Sequence, residues 1–436
     1  MPFSAKTIRR LRRLLIGLAC CATLIAVAWQ IENIRGERAW NNYVREQERL
    51  GTPISALPSR NVMPPSDNFF ETPLVQNLVF EKPLAPEIKT LRELSFLNVE
   101  TQPTEPLEEV AKKIRQTASL PSAPISPETS SAQQILQYFT PWEPELALLH
   151  LAARDHKSAT LSFPELHQTL SFYEEVQKAD LDVAFGFTRV LALHARASLT
   201  AGREEDSFND IVTLLKFSEG FSRSPRTLLE FLVGMAVADN ALKIFKDGVS
   251  EQSWTASQLQ IVQDKLTDLD APSASGSSPL ATCLLVERNA ALTLVRDLND
   301  ENVKNQGKPW WLPMGENAWL KNTLIYYATT LDERRKLLQN ELIPGVRAQL
   351  VQLRAQERKS ARALSPFRAL ARTWGPNMTS IFGGSIRSAF TRRLALTACA
   401  LERHYLAHGA YPESLTPLVP AFLPAVPLDA DGDWAW

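Results

Sequence analysis

The sequence predicts a mainly α-helical protein with an N-terminal membrane helix, an extended proline-rich segment, a multi-helix domain and a small C-terminal module. Three observations carry that expectation. A charge-free run, Leu14 to Trp29, follows a strongly basic start. Long stretches beyond residue 130 repeat apolar residues at steps of three and four, the period of a helix face. Prolines outnumber glycines, 29 to 17, and they gather in two segments that flank those stretches. The net charge is −1, with 44% hydrophobic and 22% charged residues, which is globular composition and gives no support for nucleic-acid binding.

Residues 1–13 form the basic flank, with Lys6, Arg9, Arg10, Arg12 and Arg13 and no acidic residue before Glu32. Residues 14–34 are the expected transmembrane helix. The charge-free run spans only ~24 Å at 1.5 Å per residue, short of a ~30 Å hydrocarbon core. Ile31 and Ile34 extend it, the arginines can snorkel to head groups, and Trp29 suits the far interface. A basic flank stays cytoplasmic, so the expected placement is single-pass in a bacterial inner membrane with the bulk in the periplasm. Ala26-Val27-Ala28 also fits a signal-peptidase site, and a cleaved leader is the alternative to a signal anchor. Residues 30 to 50 remain compatible with a continuing helix that stops at Gly51, which favours the anchor. Cys20 and Cys21 read as small apolar residues of that helix.

Residues 35–128 combine a juxtamembrane helix with a proline-rich wrapping segment. Residues 51 to 145 hold 14 of the 29 prolines and no glycine after Gly51. Proline fixes φ and biases its predecessor towards extended backbone. Phe69, Phe70, Leu74, Val75, Leu78, Val79 and Phe80 are nevertheless too apolar for a solvated tether. The expectation is an extended segment laid against the next domain, with one helix from Leu107 to Ala118.

Residues 129–375 form the helical domain. Helices are predicted over 182–201 and 207–220 as an αα-hairpin, then from Pro225 to near Gly248, and over 253–269, 279–299 and 319–340. A last one runs from Pro344 to Leu364 and carries Arg347, Arg354, Arg358, Lys359 and Arg362, which read as a solvated face or as a surface for an anionic partner. Trp310 and Trp311, set between Pro309 and Pro313, read as a cap on the core or as a binding rim. Cys283 and Cys399 sit in apolar helical contexts and read as two buried free thiols, with one disulfide as the alternative.

Residues 386–436 form the C-terminal module: a helix over 392–406, a stop at Gly409, Tyr411-Pro412, a short helix, and an extension set by Pro417, Pro420, Pro424 and Pro427. The stretch Ala400-Leu401-Glu402-Arg403-His404-Tyr405 through Gly409-Ala410-Tyr411-Pro412-Glu413-Ser414-Leu415 to Pro427-Leu428-Asp429 resembles the tail of the major pseudopilin of type II secretion. It also resembles the ends of uncharacterised membrane-anchored envelope proteins of the planctomycete and verrucomicrobial type. Gly36-Glu37-Arg38-Ala39-Trp40, Tyr43, and Pro64-Pro65 leading to Asn68-Phe69-Phe70 and Pro73 resemble the post-membrane segment of that second group. The two matches cover about a quarter of the chain. The prepilin processing signal is missing, since Arg13 meets Leu14 directly, and this departs from the pseudopilin pattern.

No G-x-G-x-x-G, P-loop or G-x-S-x-G occurs, and His150, His156, His167 and His194 stand in helical stretches without a partner pattern, so no catalytic residue is nominated. His404 and His408 share a helix face at the spacing of zinc ligands, but the H-E-x-x-H glutamate is absent. Asp429, Asp431 and Asp433, alternating around Gly432, suit a hard cation. The pseudopilin resemblance implies calcium near this point; a solvated acidic turn is the other reading. No other cofactor is expected. Taken together, the sequence points to a non-catalytic, membrane-anchored envelope protein with protein partners. A relative of a secretion or pilus-like apparatus and an enzyme of unrecognised type are the alternatives. The acidic-turn reading predicts no change in melting temperature on adding millimolar calcium or chelator; a rise with calcium assigns the three aspartates to a cation site.

Overall fold

The structure, a computed structural model, describes residues 5–54, 64–95, 105–117, 129–161, 180–223, 225, 227–270, 278–298, 318–338, 351–352, 354–355, 358 and 378–426. Among these the fold is helical, with one isolated bridge between Asn68 and Ser158 and no strand. Two compact units emerge, each discontinuous in sequence: residues 1–57, 288–333 and 356–376 form the first, and the remainder form the second.

The first unit is led by α1 (Ala5–Arg49), 45 residues long. At 1.5 Å per residue it reaches about 68 Å, over twice the hydrocarbon thickness. Its apolar part is long and hydrophobic enough to cross a membrane, with a mean hydropathy of 2.2 and nothing packed over it. Leu24 and Ile25, for example, are 69% and 67% exposed. The helix continues unbroken past Ala28 and ends at Gly51, which adopts the left-handed φ of 70° that ends helices. Its far end is a packing surface. Trp40 and Tyr43 lie against Leu292 of α11 (Pro279–Leu298) and against Leu324 and Ala328 of α12 (Ala318–Leu338).

A buried cation secures that junction. The Arg288 guanidinium is wholly buried and donates to Asp332 Oδ1 at 2.9 Å, Gln47 Oε1 at 2.7 Å, the Thr52 carbonyl at 2.8 Å and Asn289 Oδ1 at 2.7 Å. The other Asp332 oxygen accepts from the Tyr43 hydroxyl at 2.7 Å and Gln47 Nε2 at 3.2 Å. Burial first, and then the bond to Asp332, push the Tyr43 hydroxyl well above its usual range. Guanidinium and carboxylate each find several partners, which is what allows both charges out of water.

The second unit centres on α8 (Glu204–Ser222), in which every residue from Asp210 to Phe221 is buried. It pairs with α7 (Leu181–Thr200) as the expected αα-hairpin and packs against α9 (Leu228–Ser250). Around them stand α2 (Pro73–Phe80), α3 (Arg92–Ser95), α4 (Leu107–Thr117), α5 (Ser131–Phe139), α6 (Glu143–Asp155) and α10 (Ala256–Asp270). The last helix, α13 (Met378–His408), packs on α9 and α10 and starts well before residue 392.

Residues 64–95 of the proline-rich segment are laid against this unit as the apolar count implies, but Pro73–Phe80 is a helix where extended backbone is expected. Pro73 occupies the first helical position, where its missing N–H costs nothing. The Asn68 carboxamide holds the entry, accepting from the Phe70 and Thr160 amides and donating to the Thr160 carbonyl. Phe69 and Phe70 then meet Phe217 edge-on at 5.2 and 5.8 Å between ring centres. Gly220 makes this possible, because a Cβ there would overlap the Phe70 ring. Cys283 and Cys399 are buried and are not joined in a disulfide.

Two substitutions test the packing. Gly220→Ala should cost about 1–3 kcal/mol, the price of overfilling a packed core. Gly383→Ala, on α13 with open space at its Cβ, should gain about 0.5–1 kcal/mol. Urea midpoints of the two variants check both signs, and a neutral Gly220→Ala would overturn the Phe70 placement.

Candidate functional site

The chemistry-bearing residues of the second unit lie along α8. Its apolar surface is interrupted by Ser207, Asp210, Thr213, Lys216 and Glu219, all buried. Three-residue steps fall short of a 3.6-residue turn by about 60° each, so this polar line winds round the helix instead of following one face. Asp210 therefore meets α6 and α7, while Lys216 and Glu219 meet the chain at 157–159.

Asp210 is fully buried and uses both oxygens. His150 Nε2 of α6 lies 2.7 Å from Oδ1, and His194 Nδ1 of α7 lies 2.6 Å from Oδ2. The edge of the Phe139 ring packs against the His194 imidazole, with 4.8 Å between centres. Burial, the largest influence, works to lower the His194 pKa, but the charge and hydrogen bond of Asp210 outweigh it and the net shift is upward. Burial likewise works to raise Asp210, and the two histidines overcome it and hold the carboxyl below its usual range. The arrangement stores a proton between an imidazole and a carboxylate. An Asp–His pair bonded through Nδ1 is also how a general base is oriented. Here, however, His194 Nε2 is buried and faces no hydrogen-bonding partner among the described residues, and the nearby Ser198 and Ser207 hydroxyls are in the same position.

Two turns on, the Lys216 ammonium is wholly buried and donates to Glu219 Oε2 at 2.8 Å and to the Lys157 carbonyl at 3.0 Å. Glu219 Oε1 accepts from the Ala159 amide at 3.2 Å and from Arg223 at 3.3 Å.

The structure thus supplies a partner that sequence reading missed: His150 and His194 share Asp210 across gaps of 60 and 16 residues. The available signal was an aspartate in the middle of an apolar helix. His156 instead caps its own helix through the Ala152 carbonyl, and His167 lies outside the described residues. His404 and His408 stack at 4.2 Å on an exposed face, and each Nδ1 is held by a backbone carbonyl. No cluster of three or more metal-ligating side chains occurs among the described residues. Asp429, Asp431 and Asp433, together with Trp310 and Trp311, lie outside them. Of the basic stretch, Arg354 and Arg358 are exposed, and Arg347, Lys359 and Arg362 lie outside the described residues.

No protein-family model matches the chain, and no curated protein or solved structure matches it. The geometry above therefore stands alone as the basis for a functional reading.

The His194–Asp210 pair makes stability depend on pH. His194 titrates above its unfolded value of 6.5, so its contribution is complete below pH 6.5 and fades as pH rises through the folded value. Asp210 titrates below 3.8, so its contribution holds above pH 3.8 and fades as pH falls through the folded value. The expected urea midpoint therefore drops as pH rises from 6.5 through the folded value of His194. Asp210→Asn should lose about 3–5 kcal/mol at the lower pH and flatten that slope. Parallel pH profiles for wild type and variant would overturn the assignment.

Proposed function

We propose that this chain is a membrane-anchored scaffold of the bacterial envelope, with its N-terminus cytoplasmic and its helical bulk in the periplasm. The observation that carries the reading is α1. One continuous helix has an unpacked apolar half flanked by arginines and a polar half built into a folded unit. Such a helix couples a membrane to a domain rigidly, since no flexible joint lies between residues 12 and 49. It also weighs against cleavage after Ala28, which would cut within regular helix. The Asp210 site supports a structural role over a catalytic one, because its spare imidazole nitrogen is buried. On the second unit, Leu148 and Leu151, one turn apart on α6, are each 49% exposed, a surface suited to a protein partner.

A second reading, kinship with a secretion or pilus-like apparatus, draws support from the tail. Leu418 and Leu423 fold back on Ala400 of α13 in a small cluster of their own. Gln263 of α10 ties that tail down by donating to the Phe422 carbonyl at 2.6 Å and accepting from Arg403 at 2.9 Å.

Alkaline extraction of membranes carrying a C-terminally tagged full-length chain tests the anchor. Retention in the pellet, release on deleting residues 1–34, and digestion by protease added to spheroplasts are the expected results. A soluble mature form beginning at Trp29 would refute it. Crosslinking in intact cells then separates the readings: recovery of pilins or a secretion ATPase favours the apparatus, and recovery of other envelope proteins favours the scaffold.

A further inference from the structure

His404 and His408 stand on the last two turns of α13. Their spacing of four puts both imidazoles on one face, and the rings lie 4.2 Å apart at 25° to each other. Each Nδ1 is 3.0 Å from a carbonyl oxygen, that of Ala410 for His404 and that of His404 for His408. A carbonyl only accepts, so each Nδ1 carries the proton, and each neutral ring keeps a lone pair on Nε2, its outer nitrogen. Neither Nε2 has a hydrogen-bond partner among the described residues. An imidazole held at Nδ1 by a backbone carbonyl and open at Nε2 is the form in which histidine ligates metal ions.

The pair is also held in place. The Phe422 ring of the tail packs edge-on against both imidazoles, at 5.6 and 6.1 Å between centres. Phe422 is itself fixed, by Gln263 at its carbonyl and by the Arg403 guanidinium 5.3 Å from its ring. The ring separation fits a shared ion. An ion ~2.0 Å from each Nε2 lies ~3.2 Å from each ring centre, so right-angle ligands put the centres ~4.5 Å apart and tetrahedral ligands ~5.2 Å apart. The observed 4.2 Å falls nearer the right-angle arrangement. Square-planar copper(II) takes that geometry, and copper(II) also binds nitrogen donors most tightly among the divalent first-row metals.

We propose that His404 and His408 form a two-imidazole site for a divalent transition metal, copper(II) above the others, chelated by both Nε2 atoms with water in the remaining positions. Coordination strengthens the Nδ1–H bond that His404 makes to Ala410, beyond the helix stop at Gly409. Bound copper therefore stabilises the end of α13 and the turn that follows it, because the ion binds the folded arrangement and not the separated imidazoles.

Titration of the detergent-solubilised full-length chain, free of any histidine tag, with copper(II) chloride against a competing chelator tests the site. One equivalent should bind, its pulsed electron paramagnetic resonance spectrum should show two coordinated imidazoles, and the melting temperature should rise. His404→Gln and His408→Gln keep an amide that can donate to the same carbonyls. Each should weaken that equivalent at least about tenfold through loss of chelation, and leave one imidazole in the spectrum. His156→Gln, at a single histidine bonded to the Ala152 carbonyl, should change neither reading. His408 is exposed, so His408→Gln decides if His404→Gln does not fold. Unchanged affinity in His408→Gln, fewer than two imidazoles in the wild-type spectrum, or no bound equivalent would overturn the proposal.

Discussion

Asp210 sits inside the second unit without access to water, and the packing of three helices follows from the need to answer its charge. A lone buried carboxylate is prohibitively costly, and hydrogen bonds from imidazoles on two different helices make it tolerable. Those bonds fix the rotation of α6, α7 and α8 about their axes more sharply than apolar contacts do. Leucines and phenylalanines can slide by a fraction of a turn and stay buried; a carboxylate with two imidazole partners cannot. Lys216 and Glu219 extend the same requirement along α8 to the chain at 157–159, and Asn68 joins that chain to the start of the wrapping segment. The phenylalanines that follow are thereby delivered to Phe217 and to the space left by Gly220.

The first unit solves a similar problem independently. Arg288 and Asp332 are joined by Tyr43 and Gln47, so α1 enters this unit through polar bonds as well as apolar packing. Directional bonds of this kind suit a helix whose other half is apolar and long enough to cross a membrane. An end held only by greasy contacts could rotate, whereas one held by a guanidinium with several acceptors has a defined face.

Much of this fold is legible from pattern. The helices at 181–200, 204–222, 228–250 and 279–298 fall within a few residues of where the apolar periodicity puts them, because each buries a stripe that repeats every three to four positions. The wrapping segment was legible in its burial but not in its local form. Proline-rich composition argues for extended chain, yet a proline at a first helical position is neutral, and the apolar run after Pro73 closes into a helix once it has a core to lie on. The candidate site was legible only as an aspartate in the middle of an apolar helix. His150, His194 and Asp210 follow no spacing rule, since their distances along the chain are set by where three helices cross.

What the sequence by itself determined is therefore local and periodic: the charge-free run behind its arginines, the helical stripes, the glycine that ends α1, and the absence of phosphate-cradling and nucleophile-elbow motifs. These depend on residues within a turn or two of each other. What only the tertiary structure decided is which buried charges meet. Asp210 with two histidines, and Arg288 with Asp332 and Gln47, are pairings across tens to hundreds of residues. They exist because a charge inside a protein must find a partner wherever the fold brings one.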